Sequence, residues 1–341
     1  MRNKGFTLIE LVLVLVILAI VTNIAMVNML DSVQNKKHEQ AAKELEAIKE
    51  AVVGSEAGAS ASFVGTIGRL PLSLSVLLEG KDSDTERVAY AATELMEQGM
   101  LPAYKQIELS DNNSSERSAS SPAYDSAMDD LVRLGVGWRG PYLKSSSAKA
   151  TATGVLHDAW GNVMAAPDAA LLNGRLVDVN SNAVVSAGVE IGGMVHFGED
   201  GRPDAFVAPK EAAQRDGAAM FNAYAALPVE VQLQTPAGAA VPVDTLSSGG
   251  LFVARLYLPC IEGGEAKVKI VEQDPATTPV SNCVQFDFSN VPVGTHPLVV
   301  KHKPTGRVWY QTVELIPLPY GQNTYEACRL KITIPSTLIT Q

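Results

Sequence analysis

The sequence predicts an α+β protein: a long amino-terminal helix packed on a mixed head, then a carboxy-terminal β-sandwich. Three observations predict it. The chain of 341 residues is long enough for about two domains at roughly 150 residues each. Hydrophobic residues make up 46% and charged residues 19%, so an apolar surplus must be placed somewhere. The surplus falls at the amino end, whereas the last third alternates in short runs bounded by Pro, Gly and Asn. The net charge of −10, from 27 Lys and Arg against 37 Asp and Glu, argues against nonspecific binding of nucleic acid.

Residues 11–21 are apolar without interruption, within a mostly apolar stretch over 6–30. Twenty-five helical residues at about 1.5 Å each reach about 37 Å, enough to cross a hydrocarbon core of about 30 Å. Arg2 and Lys4 precede the stretch, so positive-inside logic keeps that end cytoplasmic and exports the rest of the chain. From Asp31 the chain turns charged while Ala41, Leu45, Ile48 and Val52 recur at helical spacing, which predicts that the helix continues in water until Gly54 and Gly58. A cleaved signal peptide would need small residues after the apolar run, and Thr22-Asn23-Ile24-Ala25-Met26 fits that poorly.

Before the run stands Lys4-Gly5-Phe6-Thr7-Leu8-Ile9-Glu10. This resembles the prepilin signature of type IV pilins and type II secretion pseudopilins. The resemblance implies cleavage by a prepilin peptidase between Gly5 and Phe6 and methylation of the Phe6 amine. Residues 1–5 are then a leader and 6–53 an assembly helix, with 6–30 in the membrane. Glu10 gives the motif a physical reason, because a carboxylate among membrane-depth apolar residues costs about 3 kcal/mol unless it has a task. In the family, that glutamate is taken to meet the amine of a neighbouring subunit's first residue and so set register. The implied partners are further pilin or pseudopilin subunits, membrane lipid, and an inner-membrane assembly platform driven by a cytoplasmic ATPase.

Residues 54–221 are similar to a pilin head. Gly65-Thr66-Ile67-Gly68-Arg69-Leu70-Pro71 resembles the segment after the helix in major pseudopilins. Trp138-Arg139-Gly140-Pro141-Tyr142-Leu143 and His157-Asp158-Ala159-Trp160-Gly161-Asn162 are similar to their G-P-Y-L and D-P-W-G-N elements, with Ala159 in place of proline. Packing of the head is the expected role of Trp138 and Trp160. Between the landmarks the pattern predicts helices at 85–98 and 124–134 flanking a Ser-rich loop at 110–122. Further on, 175–180 and 183–191 are expected to pair as a hairpin across Ser181-Asn182. Asp178, Asn180 and Asn182 imitate an EF-hand opening, but Ala183 and Val189 stand where its glycine and closing acid belong. The resemblance instead implies a calcium loop at Glu199, Asp200 and Asp204, where an ordinary acidic turn is the competing reading. No other cofactor is implied.

After a helix and linker expected at 211–226, residues 222–341 predict about seven strands and a β-sandwich. The stretch 286–323 is similar to transthyretin-like or carboxypeptidase-regulatory-like domains, which mostly support or bind. Cys260, Cys283 and Cys328 all fall here, and export predicts one disulfide with one thiol left over. Cys260 and Cys283 flank a polar connection and are the favoured pair, although three pairings are open, as are three reduced cysteines. His296 and His302 share a strand face with Leu298 and Val300, which favours packing over metal binding. The sequence holds no G-x-S-x-G, H-E-x-x-H, P-loop or C-x-x-C, so no enzymatic activity is expected. The expected function is a structural subunit of a secretion pseudopilus or type IV pilus, anchored in the inner membrane with its carboxy-terminal domains in the periplasm. The alternatives are a minor or tip pilin with an adhesin-like β-domain, and a signal-anchored periplasmic enzyme or binding protein that never polymerises.

Overall fold

The computed structural model describes residues 8–55, 58–71, 76–79, 101–143, 149–150, 156–157, 169–172, 175–178, 193–195, 218–220, 223–239, 251–275, 283–318 and 322–333. It begins with a single helix, α1 (Leu8–Val53), of 46 residues. The helix stops because Gly54 takes φ +86° while its amide still donates to the Glu50 carbonyl at 2.8 Å. A Cβ at Gly54 would lie 2.6 Å from the Ala59 Cα, so the turn back onto the helix needs glycine there.

The returning chain forms α2 (Phe63–Ile67), capped by the Ser62 hydroxyl accepting from the Gly65 amide at 3.1 Å. Next comes α3 (Val76–Glu79). Ile48, Ala51, Val52 and Val53 of α1 bury against Phe63, Val64 and Ile67 to make the first core. The Trp138 to Leu143 landmark closes it. The Trp138 Nε1 donates to the Val76 carbonyl at 3.2 Å, and the amides of Tyr142 and Leu143 donate to Leu77. The Tyr142 ring meets Phe63 and Trp138 edge-on, and its hydroxyl lies 2.6 Å from that of Thr66. Packing, as the sequence implies for Trp138, is what these rings do.

The segment 101–143 holds β1 (Lys105–Glu108), a 3-10 turn (Asp111–Glu116), α4 (Ser126–Asp129) and β2 (Arg133–Val136), with β1 and β2 antiparallel. The helix expected over 124–134 is therefore corrected to one short turn and a strand. Val132, Leu134 and Val136 bury every second residue, and that period of two prevails over local helix propensity. Short antiparallel pairs come after: β3 (Lys149–Ala150) with β4 (Leu156–His157), and β5 (Ala169–Leu172) with β6 (Arg175–Asp178). β6 thus pairs upstream, while 183–191 and 85–98 lie outside the described residues. β7 (Gly193–Val195) pairs with β8 (Ala218–Met220).

Longer strands then fill the last third of the described chain: β9 (Tyr224–Gln234), β10 (Phe252–Glu262), β11 (Glu265–Gln273), β12 (Cys283–Pro292), β13 (Gly294–His302), β14 (Arg307–Leu315) and β15 (Cys328–Thr333). Of the helix and linker expected at 211–226, residues 218–220 form β8 and β9 begins at Tyr224, where Ala225 and Leu227 already alternate inward, while 211–217 lie outside the described residues. One sheet runs β11-β10-β13-β14 and the other β12-β9-β15, with β15 parallel to β9. The two sheets share a core of Leu227, Val229, Val231, Leu256, Phe286, Phe288 and their neighbours.

β10 is buried along eight successive residues, so its second face is covered too. The cover is 101–143. Ile107, Met128, Val132, Leu134 and Val136 bury against Val253, Tyr257, Val268, Ile270 and Val299. Its backbone also docks on the β11 edge, with the Ser118 amide donating to the Val268 carbonyl at 2.9 Å and the Ser121 hydroxyl accepting from Ile270 at 3.0 Å.

An ionic network lies inside this second interface. Arg255 Nη1 donates to both Asp129 carboxylate oxygens at 2.9 and 3.1 Å, Nη2 to the Ala123 carbonyl at 3.1 Å, and Nε to Glu272 at 2.8 Å. The Tyr257 hydroxyl donates to Asp129 at 2.7 Å. Asp129 and Tyr257 are wholly buried and Arg255 is 5% exposed. Burial opposes the guanidinium charge, but Glu272 and Asp129 outweigh it and raise the Arg255 pKa. Burial, then the Asp129 charge, pushes the Tyr257 phenol up, keeping it a donor.

These contacts set two expected outcomes. Asp129→Leu strands the Arg255 charge and should cost about 3–5 kcal/mol in urea unfolding, whereas Asp129→Leu/Arg255→Met should cost distinctly less. Equal losses in the two variants would show that the network is not coupled. The second concerns His296, wholly buried with Nε2–H donating to the Pro292 carbonyl at 2.7 Å. Burial lowers its pKa to about 4 from the ordinary 6.5. The unfolded chain therefore takes up a proton before the folded one as pH falls below 6.5. Stability should drop between pH 6.5 and 4 by about 3 kcal/mol from this residue and no further below. Urea titrations across that window should show a shallower drop for His296→Phe than for the natural chain.

Candidate functional site

The amino-terminal half of α1 is the functional feature that the fold leaves uncovered. Leu8–Lys37 is long and apolar enough to cross a membrane, and none of it is buried within the described chain. Leu8 is 83% exposed, and Leu13, Leu18, Ile24 and Leu30 are all exposed as well. A helix satisfies its own backbone hydrogen bonds, so this rod of branched side chains is suited to lipid and costly in water. Glu10 is the single charged residue between Leu8 and Leu30, and it stands in the first turn of the described helix. Acidic groups are favoured there because the amides at a helix start carry partial positive charge.

Beyond Asp31 the same helix changes solvent. Glu39 pairs with Lys43 at 2.6 Å and Glu46 with Lys49 at 3.3 Å, exposed pairs at helical spacing. The last turns then enter the first core through Ile48, Val52 and Val53. One rigid element thus joins an apolar rod to the folded body with no break among its 46 residues.

Residues 1–23 match the family described as the prokaryotic N-terminal methylation motif. The amino terminus carries that methylation motif. The match together with the long apolar helix supports membership of the pilin and pseudopilin family, processing by a prepilin peptidase, and membrane anchoring. No curated protein matches the chain. Among solved structures, a candidate carbohydrate-binding protein of Pseudomonas aeruginosa aligns at 13% identity over 32% of this chain and 89% of its own, with a TM-score of 0.19. A likeness of that size carries no argument about this chain.

Gly5 and Phe6 lie outside the described residues, as do Glu199, Asp200 and Asp204. Among the described residues no cluster of three His, Cys, Asp or Glu side chains forms that would hold a metal ion. His296 and His302 both pack: His302 lies against Phe252 with ring centroids 4.9 Å apart and lies 2.7 Å from the Thr305 hydroxyl. The Asp129, Arg255 and Tyr257 network is the feature that the sequence does not disclose. Its members lie more than a hundred residues apart, and the one available signal is an arginine within an apolar strand, Val253-Ala254-Arg255-Leu256-Tyr257.

The expected disulfide is corrected. Cys260, Cys283 and Cys328 all carry unbridged thiols. Cys260 sits on the four-stranded sheet with its Sγ 3.4 Å from the Lys267 carbonyl. Cys283 and Cys328 lie on strands either side of β9, opposite Gln232 and Val229 respectively. Two strand spacings sideways and three residues along give a separation of about 14 Å, well beyond the reach of a bridge. Burial pushes the Cys260 thiol up to about 11, which suppresses its thiolate. Electrospray mass should therefore be the same with and without reductant, and the denatured chain should take up one alkyl group per cysteine before any reduction. A protected pair released only by reductant would contradict the arrangement.

Proposed function

We propose that the chain is a structural subunit of a type II secretion pseudopilus or type IV pilus, assembled through its amino-terminal helix. The observation that carries this reading is the combination at one end of α1: a methylation motif over residues 1–23, an apolar rod with none of the described body packed on it, and Glu10 as the rod's one charged residue. In the membrane the rod is covered by lipid, and in a filament by the rods of neighbouring subunits. Burying Glu10 in either setting costs about 3 kcal/mol unless a cation meets it. Cleavage after Gly5 creates such a cation at the Phe6 amine, and methylation leaves it charged. A neighbour's amine paired with Glu10 would fix the stagger between subunits.

Arg2 and Lys4 hold the leader in the cytoplasm, so the head and the two-sheet body are exported. The two facing sheets read as a β-sandwich borne by the head, and the work of the subunit is mechanical rather than enzymatic, with no cofactor called for. Subunits, peptidase and an assembly platform powered by a separate ATPase are its partners.

Mass spectrometry of the native amino terminus should find a chain starting at methylated Phe6, and Gly5→Leu should keep the leader. Glu10→Gln should insert normally but be scarce in filaments sheared from cells and viewed by electron microscopy. A native chain starting at Met1 would refute processing, and Glu10→Gln subunits present in filaments at the natural ratio would refute the register role.

A further inference from the structure

The cover over the four-stranded sheet is incomplete, and its gap has the makings of a binding site. On the covered face, Val253, Arg255 and Tyr257 of β10, Val268 and Ile270 of β11, and Val299 of β13 lie under 101–143. The same face continues through Thr295 and Pro297 of β13 to Tyr310 and Thr312 of β14, as the register of Val299 with Tyr310 and Pro297 with Thr312 requires. There the cover ends, and a groove of about 290 Å³ opens between the sheet and the β1–β2 hairpin.

The hairpin wall is built by alternation. Gln106 stands opposite Gly135, and Glu108 opposite Arg133, on the face away from the buried Ile107 and Leu134. Tyr104 continues that face and lies across Gly135, where an added Cβ would sit 2.0 Å from the tyrosine hydroxyl. The Arg139 guanidinium then stacks over the Tyr104 ring at 5.2 Å. Arg133 is held by Glu108 at 3.0 Å, whereas Arg139 has no carboxylate partner among the described residues. On the opposite wall Tyr310 is 45% exposed, with its hydroxyl 3.2 Å from that of Thr312.

The groove therefore presents one planar cation carried on the Tyr104 ring, one open aromatic ring in Tyr310, a carboxamide and several hydroxyls, on a chain whose net charge is −10. We propose that it binds an acidic saccharide unit, with the carboxylate on Arg139, the apolar face of the sugar ring on Tyr310, and the ring hydroxyls on Gln106 and Thr312. A guanidinium pairs with a carboxylate through two parallel hydrogen bonds, and an open tyrosine ring supplies a flat apolar surface with a polar edge. A peptide terminus would also suit the cation but would need an apolar pocket for its side chain, and the apolar residues of the lining, Leu134 and Pro297, are buried and offer little surface. The site lies on the folded body, so it stands independently of filament assembly.

The test is calorimetric titration of the detergent-solubilised full chain with a galacturonate trimer and, separately, a neutral galactose trimer. The acidic trimer should bind saturably and the neutral one at least about tenfold more weakly. Arg139→Gln and Tyr310→Ala should each weaken the acidic trimer by about tenfold or more, with Arg139→Lys between Gln and the natural residue. Arg307→Gln, at the far end of β14, should leave binding unchanged. Arg139 and Tyr310 are both exposed, so their variants should keep the circular dichroism and melting of the natural chain. Absence of binding, equal binding of the neutral trimer, or binding unchanged by Arg139→Gln would each overturn the proposal.

Discussion

A sheet strand that is apolar on both faces has to be covered twice, and β10 is such a strand. Its inner face, Phe252, Ala254, Leu256 and Leu258, meets the three-stranded sheet. Its outer face carries Val253, Arg255 and Tyr257, turned away from the three-stranded sheet. The segment 101–143 supplies the second cover with a hairpin, a short helix and a loop docked on the β11 edge. Placing Arg255 under that cover requires a counter-charge, because an isolated buried guanidinium is untenable. Asp129 at the end of α4 provides it, accepting from Tyr257 as well. Residues from the middle of the chain and from its last third therefore make one interior.

The same economy governs the joint with the helix. α1 enters the body over its last two turns, and α2 wedges between it and the strands. The Gly68 Cα approaches the Pro259 carbonyl so closely that a Cβ would lie 1.8 Å from that oxygen, and Gly294 sits against Gly65. These contacts are backbone on backbone, which makes the junction stiff, since close-packed main chain has no rotamers to yield. A pull on the apolar rod is thereby passed to the sheets through Ile48, Val52, Val53, Phe63 and Val293, which share one core. The mechanical role proposed above would need this property, and a flexibly tethered module would lack it.

How much of this is legible in the sequence varies with the range of the interaction. The helix, its stop at Gly54 and the seven strands follow from periodicities of 3.6 and 2 and from turn residues, all local signals. The Trp138 to Leu143 landmark is legible as packing because its spacing of aromatic residues and glycine resembles a known head. The strand within 124–134 and the start of β9 escape a local reading, because alanine and acidic residues favour a helix while burial of Val132, Leu134 and Ala225 decides otherwise. The expected disulfide fails for a geometric reason: no spacing in sequence reveals that Cys260 stands in one sheet while Cys283 and Cys328 flank β9 at different heights in the other. Of the candidate site, Glu10 is readable in place, but the partnership of Asp129 with Arg255 is not, since nothing local to either residue points to the other.

The chain places its charges differently in its two settings. Inside the body, Arg255 is matched by Asp129 and Glu272, so its neutralisation is complete within a single molecule and closed to any other. The rod is the opposite case. Glu10 is the one charged residue from Leu8 to Leu30, and none of that span is buried against the described body, so another molecule can reach it from the side. Access of this kind is what an assembly contact requires, and the buried pair of the body could not provide it. An accessible carboxylate on an uncovered apolar rod, fixed rigidly to a closed body, therefore suits a subunit whose final state is an assembled one.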